Sequence, residues 1–256
     1  MILWGRCNLQ NNSQGSPQGD PLEGVQEAHR QRLALFGGSF NPVHQAHLEV
    51  IQGVLGRGDI SHVIAIPVNR SPFKEGEELL PGDLRLRMLR AALKGWPGVS
   101  VSDLELRRPP PSYTIHTVEQ MARRYPRDGL CLVMGADTVA AFADWFLAGH
   151  ILRKASLLLV GRPDSGQPLA DDPSSWRIFL PEEWRSAVHA RDGALWDDRE
   201  RLLVERMPLR VAAVSSTRIR QERRMEQVPP AARELLEAHL AAQSKGSTED
   251  PAGRIR

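Results

Sequence analysis

A glycine-bearing loop after the first apolar run of the chain has the composition of a phosphate-binding turn. It reads Phe36-Gly-Gly-Ser-Phe-Asn-Pro-Val-His-Gln-Ala-His-Leu48 and opens a helix-like stretch. Paired glycines let the backbone come close to a ligand and adopt positive φ angles. Asn41 is suited to cap the helix, and Pro42 suits its first position. We therefore expect a ligand to lie against the residues that precede the helix, which are Gly37, Gly38, Ser39 and Phe40.

His44 and His47 are the side chains of this loop that can act on a bound phosphate. Because they are three residues apart, they share a face of the helix's first turn, where unpaired N–H groups and the helix dipole favour anions. Two alternatives stay open, namely a metal site and ordinary surface histidines. Zinc-protease helices space their histidines by four with a glutamate between, and no third ligand presents itself here. No Gly-Lys-Ser/Thr follows, so the loop is not that of P-loop enzymes.

A second segment with phosphate-binding character lies near the C-terminus. Ser215, Ser216 and Thr217 follow an apolar run and open another helix-like stretch. They offer hydroxyl and N–H groups at a helix start, and Arg220 adds a fork-shaped cation. By itself the segment is equally consistent with an ordinary cap followed by a basic helix.

The elements that must position these residues alternate in type along the chain. Short apolar runs predict strands, which are Arg32 to Phe36, His62 to Val68, Val99 to Leu106, Leu130 to Met134, Ala155 to Val160 and Leu209 to Val214. Helix-like stretches lie between them, at His44 to Leu55, Asp83 to Lys94, Thr114 to Arg124 and Thr138 to Leu147. Continuous apolar strands that alternate with helices indicate a parallel sheet covered on both faces. We therefore predict an α/β fold with a Rossmann-like, doubly wound sheet, whose loops after the strands form the binding edge.

The predicted domain spans residues 32–243. Residues 1–31 are rich in polar residues, glycine and proline without apolar periodicity, which predicts a disordered N-terminal extension. Residues 163–208 interrupt the alternation as a lengthened insertion, but their three tryptophans indicate local packing. Pro229 to Ala242 reads as a terminal helix, and residues 244–256 as a flexible tail.

Bulk composition excludes several classes of protein. Hydrophobic residues make up 41% of the 256 residues, which is enough for a core. The net charge of +2 and the aromatic content of 5% argue against a nucleic-acid partner. No apolar run approaches the roughly 18 residues of a membrane span. Two distant cysteines, Cys7 and Cys131, and the lack of a signal-peptide pattern favour a soluble, cytoplasmic protein. A homo-oligomer is compatible with the sequence.

Both phosphate-binding segments resemble the signatures of the adenylyltransferase superfamily, whose core is His/Thr-x-Gly-His followed later by Ser-Ser-Thr-x-Ile-Arg. Three further stretches resemble the bacterial nicotinate-mononucleotide adenylyltransferase family, namely Asp83 to Ala92, Leu106 to Val118 and Met134 to Thr138 with Asp144-Trp-Phe146. The resemblance covers residues 32–240. The chain departs from the family pattern at Asn41 and His116, where Asp is usual, and at Ala46, where Gly is usual.

This resemblance implies roles for further residues. The backbone around Thr114 and Phe146 would receive the pyridine's carboxylate, Trp145 would flank the pyridine ring, and Asp137 would bind ribose hydroxyls. Tyr113 and Gly135 belong to the same mononucleotide-binding set, and Lys74 is assigned to ATP. Simpler interpretations stay open: Tyr113 and Trp145 as packed aromatics, Asp137 as a helix cap, and Lys74 as a solvated side chain.

The reaction implied is adenylyl transfer from ATP to nicotinate mononucleotide, which gives deamido-NAD and pyrophosphate. The attacking phosphate monoester is already mostly dianionic near neutral pH, so no protein nucleophile or general base is needed. Catalysis then consists of in-line positioning and charge neutralisation by His44, His47, Arg220 and a Mg²⁺ ion that the nucleotide carries. No protein metal site is predicted.

Other functions remain compatible with the sequence. An adenylyltransferase for phosphopantetheine or nicotinamide mononucleotide would share both signatures, although the former should lack the Ser-Tyr-Thr and Asp-Trp stretches. A non-catalytic nucleotide sensor would keep the fold without turnover. RNA binding by the basic helix from Arg218 to Arg224 rests on charge alone.

Overall fold

The computed structural model of the protein describes residues 31–72, 78–126, 129–161, 170–209, 211–212 and 214–246, apart from the side chains of residues 136, 137, 245 and 246. Residues 1–30 of the predicted N-terminal extension, Lys74, the Asp137 side chain and residues 247–256 of the predicted tail lie outside this description.

One eight-stranded sheet organises the chain, as the doubly wound prediction requires. Its strands, in sequence order, are β1 (Arg32–Gly38), β2 (Ile60–Pro67), β3 (Val99–Val101), β4 (Gly129–Gly135), β5 (Ala155–Val160), β6 (Val188–Arg191), β7 (Ala194–Asp197) and β8 (Leu202–Met207). They lie side by side in the order β3-β2-β1-β4-β5-β8-β7-β6. All neighbouring pairs from β3 to β8 are parallel, whereas β7 and β6 extend the sheet antiparallel. The predicted fold class is therefore confirmed.

Helices cover both faces because alternate residues of each strand point to opposite sides. Leu33 and Leu35 of β1 join one buried cluster, and Ala34 and Phe36 join the other. The helices are α1 (Gln45–Leu55), α2 (Gly82–Ala92), α3 (Thr114–Arg124), α4 (Ala136–Val139), α5 (Ala148–Leu152), α6 (Glu182–Arg185), α7 (Ser216–Glu222) and α8 (Pro230–Gly246). Helix α8 extends three residues into the segment predicted as tail. None of the helices in the described ranges combines the length and apolar character needed to cross a bilayer.

The site-forming feature of this sheet is the place where the strand order reverses. Strand β1 pairs with β2 on one side and with β4 on the other, so the connections that leave β1 and β4 diverge. In open parallel sheets such a point opens a crevice at the carboxyl ends of the strands. Both the glycine-bearing loop and the segment after Gly135 begin there.

The segment 163–208 contributes to the main sheet, although its sequence interrupts the predicted alternation. It supplies β6, β7 and β8, and Trp176 from this segment is buried in the same cluster as β1. Strand β8 contains Glu205 and Arg206, so it lacks the continuous apolar run expected of a parallel strand. Ion pairs from Arg32 and Arg57 hold the Glu205 carboxylate within the sheet.

The predicted strand from Leu209 to Val214 is wrong. Residues 209, 211, 212 and 214 lie outside any strand, and β8 takes the place beside β5. The apolar side chains of this stretch serve packing instead, since Val211 is buried and Leu209 lies against α1, where a Cβ on Gly53 would be 2.8 Å from it. The predicted run from Val99 to Leu106 is strand only as far as Val101.

The helix predicted from Thr138 to Leu147 is broken into three parts. Helix α4 ends at Val139, a 3-10 turn covers Phe142–Asp144, and Leu147 adopts a left-handed conformation with φ of 56° before α5. Trp145 between them is extended. The break turns Trp145 and Phe146 toward the crevice, which a continuous helix could not do for two adjacent residues.

Candidate active site

A cavity of about 380 Å³ opens at the carboxyl edge of the sheet, between the ends of β1 and β4. It brings together residues from five separate parts of the sequence. The predicted site residues that line it are Gly37, Gly38, Ser39, Phe40, His44, His47, Tyr113, Thr114, Gly135, Trp145, Phe146, Ser215, Ser216 and Thr217.

The glycine-bearing loop presents open backbone to this cavity. A Cβ at Gly37 would meet no atom within 4 Å, so the strand end offers space for a ligand. The positive φ expected of the glycines occurs instead at Phe40, with φ of 45°. A bulky residue in this region is strained, and tight packing holds Phe40 there, since it is 1% exposed and meets the Phe36 ring edge-on at 5.6 Å.

The two signature histidines form a stacked pair at the start of α1. Their ring centroids are 3.7 Å apart, and both residues are buried. His44 is the N-cap, and its backbone N–H donates to Nδ1 of His47 at 3.2 Å. Because Nδ1 accepts this bond, a neutral His47 carries its proton on Nε2. The ring is thereby fixed as a donor to an anion.

Asn41 does not cap the helix, contrary to the prediction. Its buried amide instead donates to the Glu78 carbonyl at 3.0 Å and accepts from the Leu80 N–H at 2.9 Å. Pro42 precedes the helix, which starts at Gln45. Asn41, where the resembled family usually has Asp, therefore connects the glycine-bearing loop to the residues that precede α2.

The second phosphate-binding segment reaches the cavity from α7. The Ser215 hydroxyl accepts from the Arg218 N–H and caps the helix, and the Ser216 hydroxyl donates to the Pro42 carbonyl. Arg220 lies behind the cavity lining, where its guanidinium donates to the Asn41 carbonyl at 2.5 Å. The structure thus brings Ser215, Ser216 and Thr217 to the cavity but seats Arg220 against the loop backbone.

Aromatic side chains line the opposite part of the cavity. The Tyr113 and Phe146 ring centroids are 4.9 Å apart, and Phe146 is half exposed. Trp145 lines the cavity beside them and packs 5.6 Å from Phe142. His116 lies on the outside of this group, 6.2 Å from Tyr113 and 6.4 Å from Phe146. We call this aromatic part of the cavity, with Tyr113, Trp145 and Phe146, the pyridine side.

A buried carboxylate at the pyridine side was missed by sequence reasoning. Glu105 is 4% exposed, accepts from the Thr117 hydroxyl at 2.7 Å and lies 4.0 Å from Arg108. Burial raises the pKa of Glu105, against the opposing influence of Thr117, Arg108 and Ser112. Ser112 and Thr117 flank the start of α3, so this cluster fixes the backbone at Thr114. No local pattern signals it, because the partners meet only through the fold.

Arg85 is a second residue that sequence reasoning missed. It is 2% exposed on α2 and donates to the Ser39 carbonyl at 2.8 Å, which places a cation directly behind the glycine-bearing loop. Arginine at a helix surface is ordinarily solvated, so only the tertiary packing reveals it. The residues that the structure describes contain no group of three or more His, Cys, Asp or Glu side chains placed to hold a metal ion.

Comparison with known proteins assigns this arrangement to a class. The cytidylyltransferase-like family model matches residues 35–222, a span that contains both phosphate-binding segments. The chain belongs to the cytidylyltransferase-like family.

Within that family, the chain is similar to proteins named nicotinate-nucleotide adenylyltransferase. One, from Maridesulfovibrio salexigens and named as probable, is 37% identical over 134 residues, which are 52% of this chain and 62% of that protein. Another with the same name, from Bacteroides thetaiotaomicron, is 34% identical over 54% of this chain and 68% of its own length. The chain thus spans about two thirds of the length of these relatives, and the family resemblance inferred from the motifs is confirmed.

Solved structures support the fold. Nicotinic acid mononucleotide adenylyltransferase from Plasmodium falciparum, in complex with NaAD, superimposes with a TM-score of 0.60 at 13% identity. The match covers 82% of this chain and 96% of that one.

Proposed function

We propose that the protein transfers the adenylyl group of ATP to nicotinate mononucleotide, which yields deamido-NAD and pyrophosphate as a step of NAD synthesis. The observation that carries the proposal is the single cavity in which both phosphate-binding segments meet the pyridine side. The names of the curated relatives and the NaAD complex of the Plasmodium falciparum structure are consistent with it.

In this reaction a phosphate oxygen of the mononucleotide attacks the α-phosphorus of ATP. The bond between that phosphorus and the oxygen bridging to the β-phosphorus breaks, and pyrophosphate leaves with the electron pair. The attacking monoester is largely dianionic near neutral pH, so the protein needs to supply position and charge rather than a base. The residues around this cavity can supply both the position and the charge.

His47 is the proposed donor to the triphosphate. The His44 backbone fixes its tautomer, and the Phe40 ring, 4.8 Å away, supports the imidazole. A donor held rigidly before the reaction is worth more in the transition state than one that must reorganise. The open backbone at Gly37 and the hydroxyl groups of Ser215 and Thr217 complete the proposed triphosphate-binding side.

The mononucleotide is proposed to occupy the pyridine side. Helix α3 begins at Thr114, and its first turn contains no acidic residue, so the N–H groups there favour a carboxylate. The roles of Trp145 beside the ring, Asp137 at the ribose and Lys74 at ATP remain proposals from the family resemblance. We propose that Mg²⁺ enters as part of the ATP substrate, because this ion usually keeps several waters and binds through substrate phosphates.

The test is incubation of the full chain with ATP, Mg²⁺ and one acceptor at a time, followed by chromatography of the products and a pyrophosphate assay. Nicotinate mononucleotide should give a dinucleotide and an equal amount of pyrophosphate. If phosphopantetheine is the one acceptor that gives product, the proposed acceptor is wrong, but the protein is still an adenylyltransferase. ATP binding without pyrophosphate from any acceptor would instead indicate a nucleotide sensor.

A further inference from the structure

The loop after β2, residues 68–72, lies between the two parts of the cavity. Val68, Ser71 and Pro72 line the cavity itself. On one side, the Val68 N–H donates to the Gly38 carbonyl at 3.0 Å. On the other, the Arg70 carbonyl accepts from the Ser112 N–H at 2.9 Å. We call residues 68–72 the bridging loop, because it contacts both the glycine-bearing loop and the segment that leads into the pyridine side.

Arg85 fastens the bridging loop to the glycine-bearing loop. One guanidinium nitrogen donates to the Ser39 and Val68 carbonyls, each at 2.8 Å. The second terminal nitrogen donates to the Asn69 carbonyl at 3.3 Å, and Nε donates to the Leu80 carbonyl at 3.0 Å. Four carbonyl groups from three separate loops thus converge on one planar fork, a geometry that a lysine cannot reproduce. Burial lowers the pKa of Arg85, but an arginine still remains protonated.

Asn69 fastens the bridging loop to the pyridine side. Its side-chain amide donates to the Arg108 carbonyl at 2.8 Å, and its backbone N–H donates to the Ser112 hydroxyl at 3.0 Å. Ser112 directly precedes Tyr113, the first residue of the pyridine side. Arg85 thus holds the first two residues of the bridging loop, Val68 and Asn69, and Asn69 in turn connects the loop to the segment that precedes Tyr113.

We propose that Arg85 and Asn69 are positioning residues that together set the distance between the two substrates. This inference rests on the proposed adenylyl transfer. Neither residue is among those that line the cavity, so each acts through the backbone of the bridging loop. In-line attack needs the reacting atoms about 3 Å apart, and a displacement of about 1 Å can cost roughly a hundredfold in rate. Loss of either residue should therefore lower kcat more than it raises either KM.

The experiment is a double-mutant cycle with Asn69→Ala, Arg85→Lys and the combined variant. Steady-state kcat, the KM for ATP, the KM for nicotinate mononucleotide and the Tm are measured for each. Arg87→Lys is the matched control, since Arg87 lies on the same helix but is exposed. We expect each single variant to lose at least about tenfold in kcat, with each KM changed by no more than about threefold. Because both residues act on one loop, the kcat of the double variant should be only slightly below the kcat of the less active single variant.

Three results would overturn the positioning role. These are a lower Tm with unchanged kcat, a change confined to one KM, or losses in kcat that multiply in the double variant. If Arg85→Lys does not fold, Asn69→Ala decides the question, and an unchanged kcat refutes the role. A wild-type enzyme that forms no product would refute the proposed function and this inference together, whereas an active wild type with unaffected variants refutes the inference alone.

Discussion

The Ser216 hydroxyl donates a hydrogen bond to the Pro42 carbonyl at 3.0 Å, although 174 residues separate the two in sequence. Four residues further along α7, Arg220 donates to the Asn41 carbonyl at 2.5 Å. The start of α7 is therefore fastened to the backbone of the glycine-bearing loop by two contacts. This link places the hydroxyl groups of the second segment beside the histidines of the first, and it gives Arg220 a supporting position behind the loop.

Ser216→Ala should weaken this link without unfolding the protein. Loss of the Ser216 hydroxyl removes one half-buried hydrogen bond, worth about 1 kcal/mol, so the Tm should fall by only a few degrees. We expect kcat/KM for ATP to fall about tenfold, because the second segment loses its alignment with the glycine-bearing loop. The exposed Ser186→Ala serves as the matched control. An unchanged kcat/KM for ATP would show that the link has no catalytic consequence.

His47→Ala should impair the transition state more than ATP binding. The negative charge on the leaving pyrophosphate grows as the bond to the α-phosphorus breaks, and the fixed Nε2 donor meets that charge. We expect kcat to fall by roughly a hundredfold or more, with a smaller change in the ATP Kd. His150→Ala, at an exposed position on α5, is the control. A variant with near-normal kcat would remove His47 from the mechanism.

Nicotinate mononucleotide should be preferred over its amide form. The start of α3 offers backbone N–H donors. The NH₂ of the amide substrate is also a donor, so it would leave one of these N–H groups without an acceptor. An unmatched buried polar group costs roughly 1–3 kcal/mol, and the charge-assisted bond lost in the same exchange adds a similar amount. The ratio of the two kcat/KM values should therefore be at least about tenfold. A ratio near one would contradict the acid preference but not the adenylyltransferase class.

Trp176→Ala should show that the segment 163–208 belongs to the core. Trp176 is 1% exposed, and its indole N–H donates to the Ala170 carbonyl at 2.9 Å. We expect the free energy of unfolding to fall by about 3–5 kcal/mol in urea denaturation. Trp196→Ala is the comparison, since the Trp196 ring is only partly buried beneath Arg191 and should cost about 1 kcal/mol. Equal losses at both positions would contradict this packing assignment.

Asp59 should make stability pH-dependent in acid. Burial raises the pKa of its carboxyl, but hydrogen bonds from Arg57 and Arg32 outweigh burial and lower that pKa to about 2. A carboxyl whose pKa is lower in the folded state stabilises the protein above its unfolded pKa, near 3.8, and loses this contribution as the pH falls toward 2. The Tm deficit of Asp59→Asn should therefore be largest near pH 6 and shrink steadily below pH 4. Asp83→Asn, at an exposed position, is the control. A deficit that grows in acid would reverse the assigned sign.

The sequence by itself determined the alternation of strands and helices, the two phosphate-binding segments and half of the residues that line the cavity. These features depend on short-range patterns, since apolar runs indicate burial and a glycine-bearing turn before a helix indicates an anion site. His44 and His47 meet as their spacing predicts, because residues three positions apart at the start of a helix are neighbours on its surface.

Only the tertiary structure decided which contacts support those segments. Strand β8 contains the charged Glu205, so its sequence does not predict a buried strand. The tertiary structure supplies Arg32 and Arg57, which form ion pairs with Glu205. The sequence of α2 does not show that Arg85 is buried, because the carbonyl groups that surround it come from three separate loops. The contact of Arg220 with the Asn41 carbonyl also depends on the tertiary structure, and a role for Arg220 at a phosphate stays a prediction. Each outcome depends on partners distant in sequence, and local propensity contains no information about such partners because burial and pairing are settled when the whole chain packs.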